Sequence, residues 1–403
     1  AHPALRASHT RAHLTGAASI TGATSRRAGS GDLWVRGATG HNLRDLDARF
    51  RLGALNLVTG VSGSGKTTLV RETLGRALAA RFGARDEPLP HRALEGAEGI
   101  DKLSVIDQAP IGRTPRSNPA TYTKLFDRIR GLFAATPEAK AAGFGKGRFS
   151  FNAKGGRCEA CQGAGVVQVG LKLLGDVSVR CEVCQGRRFN AETLAIALRG
   201  KSIDDVLRMS IAEAHGFFED DRVAERQLAT LRRLGLGYLR LGQPSTTLSG
   251  GEAQRVKLAA ELARPATGKT LYLLDEPTLG LHDHDIQRLL DALTALVEAG
   301  NTVVAIEHHL DLIRAADHVV DLGPEGGEDG GHLVVQGPPD EVARCAESAT
   351  GRALLGNEAS AALPSTAAPP SEGLDLALRG VTTHNLKHVD ARFPANALTV
   401  ITG

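Results

Sequence analysis

Five cysteines occur in 403 residues, and four of them form two copies of Cys-Glu-x-Cys-Gln-Gly, at Cys158/Cys161 and Cys181/Cys184. Pairs of thiols two residues apart, repeated after a gap of nineteen residues, have the spacing of a tetrahedral zinc site. Gly163 and Gly186, which close the two pairs, allow the tight knuckle in which backbone amides reach the sulfurs. Four thiolates leave no open coordination position, so the expected Zn²⁺ is structural. A redox dithiol or a disulfide pair is the alternative, although nothing in the chain indicates secretion. Between the pairs, VVQVGLKLLGDVSV reads as a β-hairpin clamped at both ends.

A second set of residues points to phosphate chemistry. The strand-like ALNLVT runs into GVSGSGKTTLV, which fits G-x-x-x-x-G-K-[ST] from Gly60 to Thr67, and a helix-patterned segment follows. In such a loop Gly60, Ser62, Gly63, Ser64 and Gly65 turn backbone amides inward around phosphate oxygens, at the positive end of the next helix. Lys66 would reach the β- and γ-phosphates of ATP, and Thr67, next to Thr68, would ligate Mg²⁺. TLYLLDEP is a buried-strand run ending in Asp275 and Glu276, where a parallel sheet presents its ligands. Asp275 would hold the hydrated Mg²⁺ and Glu276 would orient the attacking water. Two further strands, LSVIDQ and NTVVAIEHH, end at Gln108 and His308, the second placed to sense the γ-phosphate. Ser249, Gly250, Gly251 and Glu252 open an amphipathic helix, giving a hydroxyl and free amides at a dipole end.

The elements that must carry these residues form a repeated chain. Residues 32–60 match residues 375–403 at sixteen of twenty-nine positions without a gap, so a unit of about 340 residues begins again near the end. Residues 1–31 are expected to be the tail of a preceding unit. The ATP-binding core is expected in two parts, 32–108 and 246–345. Residues 109–245 form an insertion with its zinc module at about 151–190, 346–373 an Ala/Pro/Ser linker, and 374–403 the start of the repeat. The length allows two to three domains, and 42% apolar with 23% charged residues is ordinary for a soluble globular chain. No run approaches the ~18 apolar residues of a membrane span and no signal peptide opens the chain, so a cytoplasmic protein is expected.

The net charge of +3 says little, but residues 140–190 hold nine Lys or Arg against three acids. Candidate contacts to duplex DNA are Arg113, Arg116, Lys146, Arg148, Lys154, Lys172, Arg180, Arg187 and Arg188. Phe144, Phe149, Phe151 and Phe189 lie among them as possible stacking platforms for bases. A solvated basic face over a small core is the competing reading.

LSGGE followed by Gln-Arg, with a phosphate loop, an acid-terminated strand and a late histidine, resembles an ABC-type ATPase. In that family the nucleotide is sandwiched between the phosphate loop of one cassette and the LSGGE helix of another. The resemblance therefore implies a second cassette, or a homodimer, as partner. PIGRTPRSNPATY, RFSFNAKGGRCEACQG, TTLSGGEAQRVKLA, LYLLDEPT-x-GLH and VVDLGPEGG narrow it further. Over about residues 32–340 they resemble the second, C-terminal cassette of the excinuclease UvrA family, the damage-sensing ATPases of bacterial nucleotide excision repair. That resemblance implies an α/β ABC-type core split by a helical, zinc-bearing insertion, which hydrolyses ATP as a dimer of cassettes and grips DNA without base specificity. It implies no nuclease site. A UvrB-like repair partner follows if the protein serves excision repair. A paralogue serving drug-adduct tolerance or DNA clearing would do without it. An export-type ATPase would need a membrane-domain partner, which the cysteine insertion speaks against.

Overall fold

The computed structural model describes residues 26–171, 175–264, 267–356, 376–383 and 386–401, together with residues 8, 10, 12 and 20. It divides into a unit of residues 20–354 and a second unit of residues 1–19 with 355–403.

Strands whose residues are buried on both faces belong inside a covered parallel sheet. In chain order the larger unit has β1 (Gly31–Ala38), β2 (Leu46–Leu52), β3 (Leu55–Gly60), β4 (Ala93–Glu95) and β5 (Lys102–Ile106). These are followed by β6 (Val166–Leu171), β7 (Gly175–Arg180), β8 (Thr270–Asp275), β9 (Thr302–Ile306), β10 (His318–Gly323) and β11 (His332–Gly337). Six of them form one sheet in the order β11-β10-β3-β9-β8-β5, parallel except for β11. β3, β9 and β10 are buried along their whole length. The carboxyl ends of β3, β5, β8, β9 and β10 therefore share one edge, and the segments leaving that edge start at Val61, Asp107, Glu276, Glu307 and Pro324. β1 pairs with β2 and β4 in a smaller antiparallel sheet that buries Leu33, Val35, Ala48 and Phe50.

The insertion is built around phenylalanine. Phe126 stacks on Phe151 at 4.9 Å between ring centroids, Phe151 meets Phe189 edge-on at 6.0 Å, and Phe133 packs on Phe149 at 5.5 Å. Phe149, Phe151 and Phe189 are thus core residues and not exposed stacking platforms, because rings placed between helices gain more by leaving water than by facing it. Phe144 is partly buried beneath the Arg148 guanidinium.

Two expected boundaries move. Within the stretch read as a linker, Ala349–Gly356 is helical, Leu354 is buried, and Ser348 donates to the buried Asp321 carboxylate at 2.6 Å. Near the start, Arg27 donates from its backbone and its side chain to Asp317 at 2.8 and 3.3 Å, and Arg26 pairs with Asp340, so these residues belong to the body.

The repeat holds at the level of backbone detail. β1 and β2 pair with a bulge between Val35 and Ala38, where Asp47 Oδ1 accepts from the Gly37 amide at 2.8 Å. Strands Leu376–Val381 and Val389–Phe393 pair with the corresponding bulge, and Asp390 accepts from the Gly380 amide at 2.7 Å. Gly403, the counterpart of Gly60, lies outside the described residues.

Phe151→Ala is expected to cost the unit about 3–5 kcal/mol in a denaturant titration. Lys154→Ala should stay within about 0.5 kcal/mol of the parent. A solvent-facing stacking platform at position 151 would make the two variants alike, both within about 0.5 kcal/mol of the parent.

Candidate functional site

The phosphate loop is fixed by its glycines and by the loop that leaves the neighbouring strand β10 at the same edge of the sheet. Gly60 has φ 129°, and a Cβ there would lie 2.0 Å from the Leu322 carbonyl oxygen, so only glycine fits. The loop after β10 braces it: the Gly327 amide donates to Gly63 O at 3.1 Å, and Asn42 Nδ2 donates to Gly63 O and Gly327 O. Lys66 is 7% exposed and donates its ammonium hydrogens to Gly60 O at 3.0 Å and Val61 O at 2.7 Å. Burial pushes its pKa down, opposed by the carboxylates of Glu276, Asp321 and Asp275. Ser64 Oγ is buried without a hydrogen-bond partner among the described residues, while Ser62, Gly63 and Thr67 are exposed.

Beside this loop is a cleft of about 410 Å³ lined by Thr67, Arg71, Asp107, Gln108, Ala109, Asp275, Glu276 and Leu279. Asp275 terminates β8, and its Oδ2 accepts from Arg71 Nη1 at 3.0 Å. Glu276 takes a left-handed backbone, φ 43°, a strain of about 1–3 kcal/mol for a residue with a side chain. The turn aims its carboxylate at His308, with Oε1 3.5 Å from Nε2, and Gln108 Nε2 donates to Glu276 O at 3.3 Å. Gln108, Glu276 and His308, expected from three separate strand ends, are in contact.

Glu307 is the residue that sequence reading missed. Its side chain is buried, and its two oxygens accept from Thr278 N, Thr278 Oγ1, His308 N and His309 N at 2.8–3.1 Å. A buried carboxylate with four donors locks the turn after Glu276 to the turn carrying His308. The signal was available: a lone acid ends the apolar run TVVAI. Arg71, Asp107 and Lys257 were missed too, since paired charges on separate elements leave no local pattern.

The helix Gly250–Leu262 begins at the Ser249 cap. Ser249, Gly250, Gly251 and Glu252 are not among the residues lining the cleft. Glu252 closes the capping box: Ser249 N donates to its Oε2 at 2.7 Å and Tyr238 OH to its Oε1 at 2.5 Å. Further along the same helix, Gln254 Nε2 donates to the carbonyls of Ile106 and Asp275, pinning the helix to β5 and β8.

The sulfurs of Cys158, Cys161, Cys181 and Cys184 all lie within 4.8 Å of one another and are buried. Cys161 and Cys184 are 3.6 Å apart, and the Gly165 amide points at Cys161 Sγ at 3.2 Å. Tetrahedral Zn–S bonds of about 2.3 Å place sulfurs about 3.8 Å apart. Both Gln-Gly pairs are left-handed, Gln162 at φ 51° with Gly163 at 79° and Gln185 at 50° with Gly186 at 73°, as knuckles require. Burial, with the neighbouring sulfurs, pushes the Cys184 thiol up to about 12, whereas backbone amides bring Cys181 down to about 7. Four thiols crowded this closely cannot all ionise without a cation between them, so the donor set fits Zn²⁺. The hairpin pairs Val166 with Arg180 through Leu171 with Gly175, directly beside the cluster.

The basic candidates divide by partner. Arg148 pairs with Glu192 and donates to Thr193 Oγ1 at 3.1 Å. Arg180 holds the Gln185 carbonyl, and Arg187 pairs with Asp204 at 3.3 Å. Arg188 is buried at φ 70°, donates to Gly242 O at 3.0 Å, and has its pKa lowered by burial. These four are engaged by partners within the insertion. Arg113, Lys146 and Lys154 are exposed, Arg116 is partly so, and none has an ion pair among the described residues. Lys172 lies outside the described residues.

Three comparisons bear on this arrangement. The ABC transporter family model matches residues 175–279. UvrABC system protein A of Micrococcus luteus is 59% identical over 323 residues, 80% of this chain and 33% of that protein. The protein of the same name from Thermus thermophilus is 57% identical over 336 residues, 83% of this chain and 35% of its own length. The crystal structure of UvrA2 from Deinococcus radiodurans superposes with a TM-score of 0.82 at 54% identity, covering 86% of this chain and 42% of that one. The chain thus spans about a third of the curated relatives it matches. Its sheet, its phosphate loop and its four-cysteine module are those of an ABC-type cassette with a cysteine-bearing insertion, and the chain belongs to the UvrA family.

Proposed function

We propose that the chain supplies an ATP-hydrolysing cassette of a UvrA-type DNA-damage recognition protein, acting in bacterial nucleotide excision repair. The observation that carries this reading is the single cleft on which Thr67, Gln108, Asp275 and Glu276 converge, with His308 in contact with Glu276. Lys66 and the loop amides would bind the phosphates. Thr67 and Asp275 would hold Mg²⁺, which offsets phosphate charge when bound. Glu276 would orient the attacking water and His308 would hold Glu276 in place. Ser249, Gly250, Gly251 and Glu252 do not line this cleft but border it at Gln108 and Leu279, which leaves them for the nucleotide of a second cassette. Four ordered sulfurs support a structural zinc, and the hairpin beside it, with Arg113, Lys146 and Lys154, would meet duplex DNA. No helix among the described residues is long and apolar enough to cross a membrane, in keeping with a cytoplasmic role. A second reading, a UvrA-like paralogue working without a UvrB-like partner, is favoured by the repeat of residues 32–60 at residues 375–403.

Lys66→Ala is expected to weaken nucleotide binding, whereas Glu276→Gln should bind ATP and hydrolyse it at least about 10²-fold more slowly. Parental turnover by the Gln variant would remove Glu276 from the chemistry.

Elemental analysis of the reduced protein should find one zinc per cysteine cluster. Cys161→Ala should lose the metal and expose the hairpin to proteolysis, with nucleotide binding largely kept, and a metal-free folded parent would contradict the assignment.

Duplex affinity, followed by fluorescence anisotropy, should fall linearly with log salt. Replacing Arg113, Lys146 and Lys154 together with Ala should flatten that slope by about 0.9 for each phosphate no longer neutralised. An unchanged slope would leave these three as a solvated face.

A further inference from the structure

Arg71 stands on the π-helical turn Thr68–Gly75 that continues from the phosphate loop. Its Nη1 is 3.0 Å from Asp275 Oδ2, and its Nη2 is 4.0 Å from Asp107 Oδ2. Asp107 is engaged on its other side as well: Lys257 Nζ donates to its Oδ1 at 2.5 Å and to its carbonyl oxygen at 3.0 Å. Lys257 belongs to the signature helix Gly250–Leu262. One guanidinium therefore faces two carboxylates, the first on the magnesium side of the cleft and the second anchoring the signature helix.

We propose that Arg71 is a positioning residue that works by exchange. It holds Asp275 until a divalent cation loads, then transfers to Asp107 and competes there with Lys257. Loading of the nucleotide site is thereby felt in the helix that presents Ser249–Gly251 to another cassette. The proposal rests on reading the cleft as the Mg·nucleotide site.

Three features support the exchange. A guanidinium bonded to Asp275 offsets the charge that a dication needs, and two cations that close repel each other. The Arg71 side chain is 43% exposed, and shortening its gap to Asp107 by about an ångström makes a hydrogen bond. Burial raises the Asp107 pKa, but Lys257, the Ala109 amide and Arg71 together more than offset it and keep the group below its ordinary value, able to accept. A static brace would need no second acceptor within reach.

The test titrates Mg²⁺ against the full chain with a fluorescent ATP analogue. Arg71→Gln is expected to lower the Mg²⁺ needed for half-maximal signal roughly two- to fivefold, the size of a partly exposed ion pair. Asp107→Asn should raise it, and Arg71→Lys should stay near the parent. Nucleotide affinity in EDTA should be the same in all four proteins, which shows that the loop is intact. An unchanged or raised Mg²⁺ requirement in Arg71→Gln overturns the exchange while leaving the site assignment standing. Failure of the parent to bind the analogue at all overturns both.

Discussion

Glu307 lies at the carboxyl edge of the sheet with its side chain out of water, and its charge is supported there by four hydrogen bonds. Leaving a buried carboxylate without partners costs several kcal/mol, so the backbone around it is obliged to arrive in one arrangement. That arrangement sets the turn at Thr278 and the turn at His308 relative to each other. Glu276 and His308 sit on those turns, so the contact between them follows from a carboxylate that touches neither side chain. The strained backbone of Glu276 is tolerated for the same reason: the surrounding bonds over-determine it.

Much of the cleft was legible in the sequence because each part carries a local signature. A glycine-lysine loop between strand and helix, a carboxylate ending an apolar run, and cysteines at fixed spacing each have few structural solutions. The positions of Gly60, Lys66, Asp275, Gln108 and His308 at one edge followed from parallel strands alone. The ion-pair chain from Asp275 through Arg71 and Asp107 to Lys257 did not, because it joins four elements far apart in sequence. Its charges look like ordinary surface residues until the fold brings them together.

The insertion shows where composition misleads. Arginine interleaved with phenylalanine suits nucleic acid, and the same alternation suits a small aromatic core whose rim is closed by ion pairs. Arg148 lies over Phe144 at 4.2 Å and Arg188 over Phe151 at 5.4 Å, so two of the candidate contacts cover rings. A guanidinium on an aromatic face gains cation–π attraction and keeps its long stem out of water. The linker boundary moved for a similar reason: Thr350 bonds Asp321 and Gly351 lies against the Val342 carbonyl, so this segment packs on the body.

The brace on the phosphate loop carries a consequence of another kind. Gly63 is held from outside by the Gly327 amide and the Asn42 side chain, and Lys66 already points into the loop's own carbonyls. The loop therefore has little conformational freedom left to lose when an anion arrives. Binding forfeits less entropy than it would in a loop that had to order itself, and the favourable enthalpy of the amide–phosphate bonds reaches the affinity with less deducted. Shape is set before the ligand comes, and recognition becomes chiefly a matter of displacing Lys66 from two carbonyl oxygens.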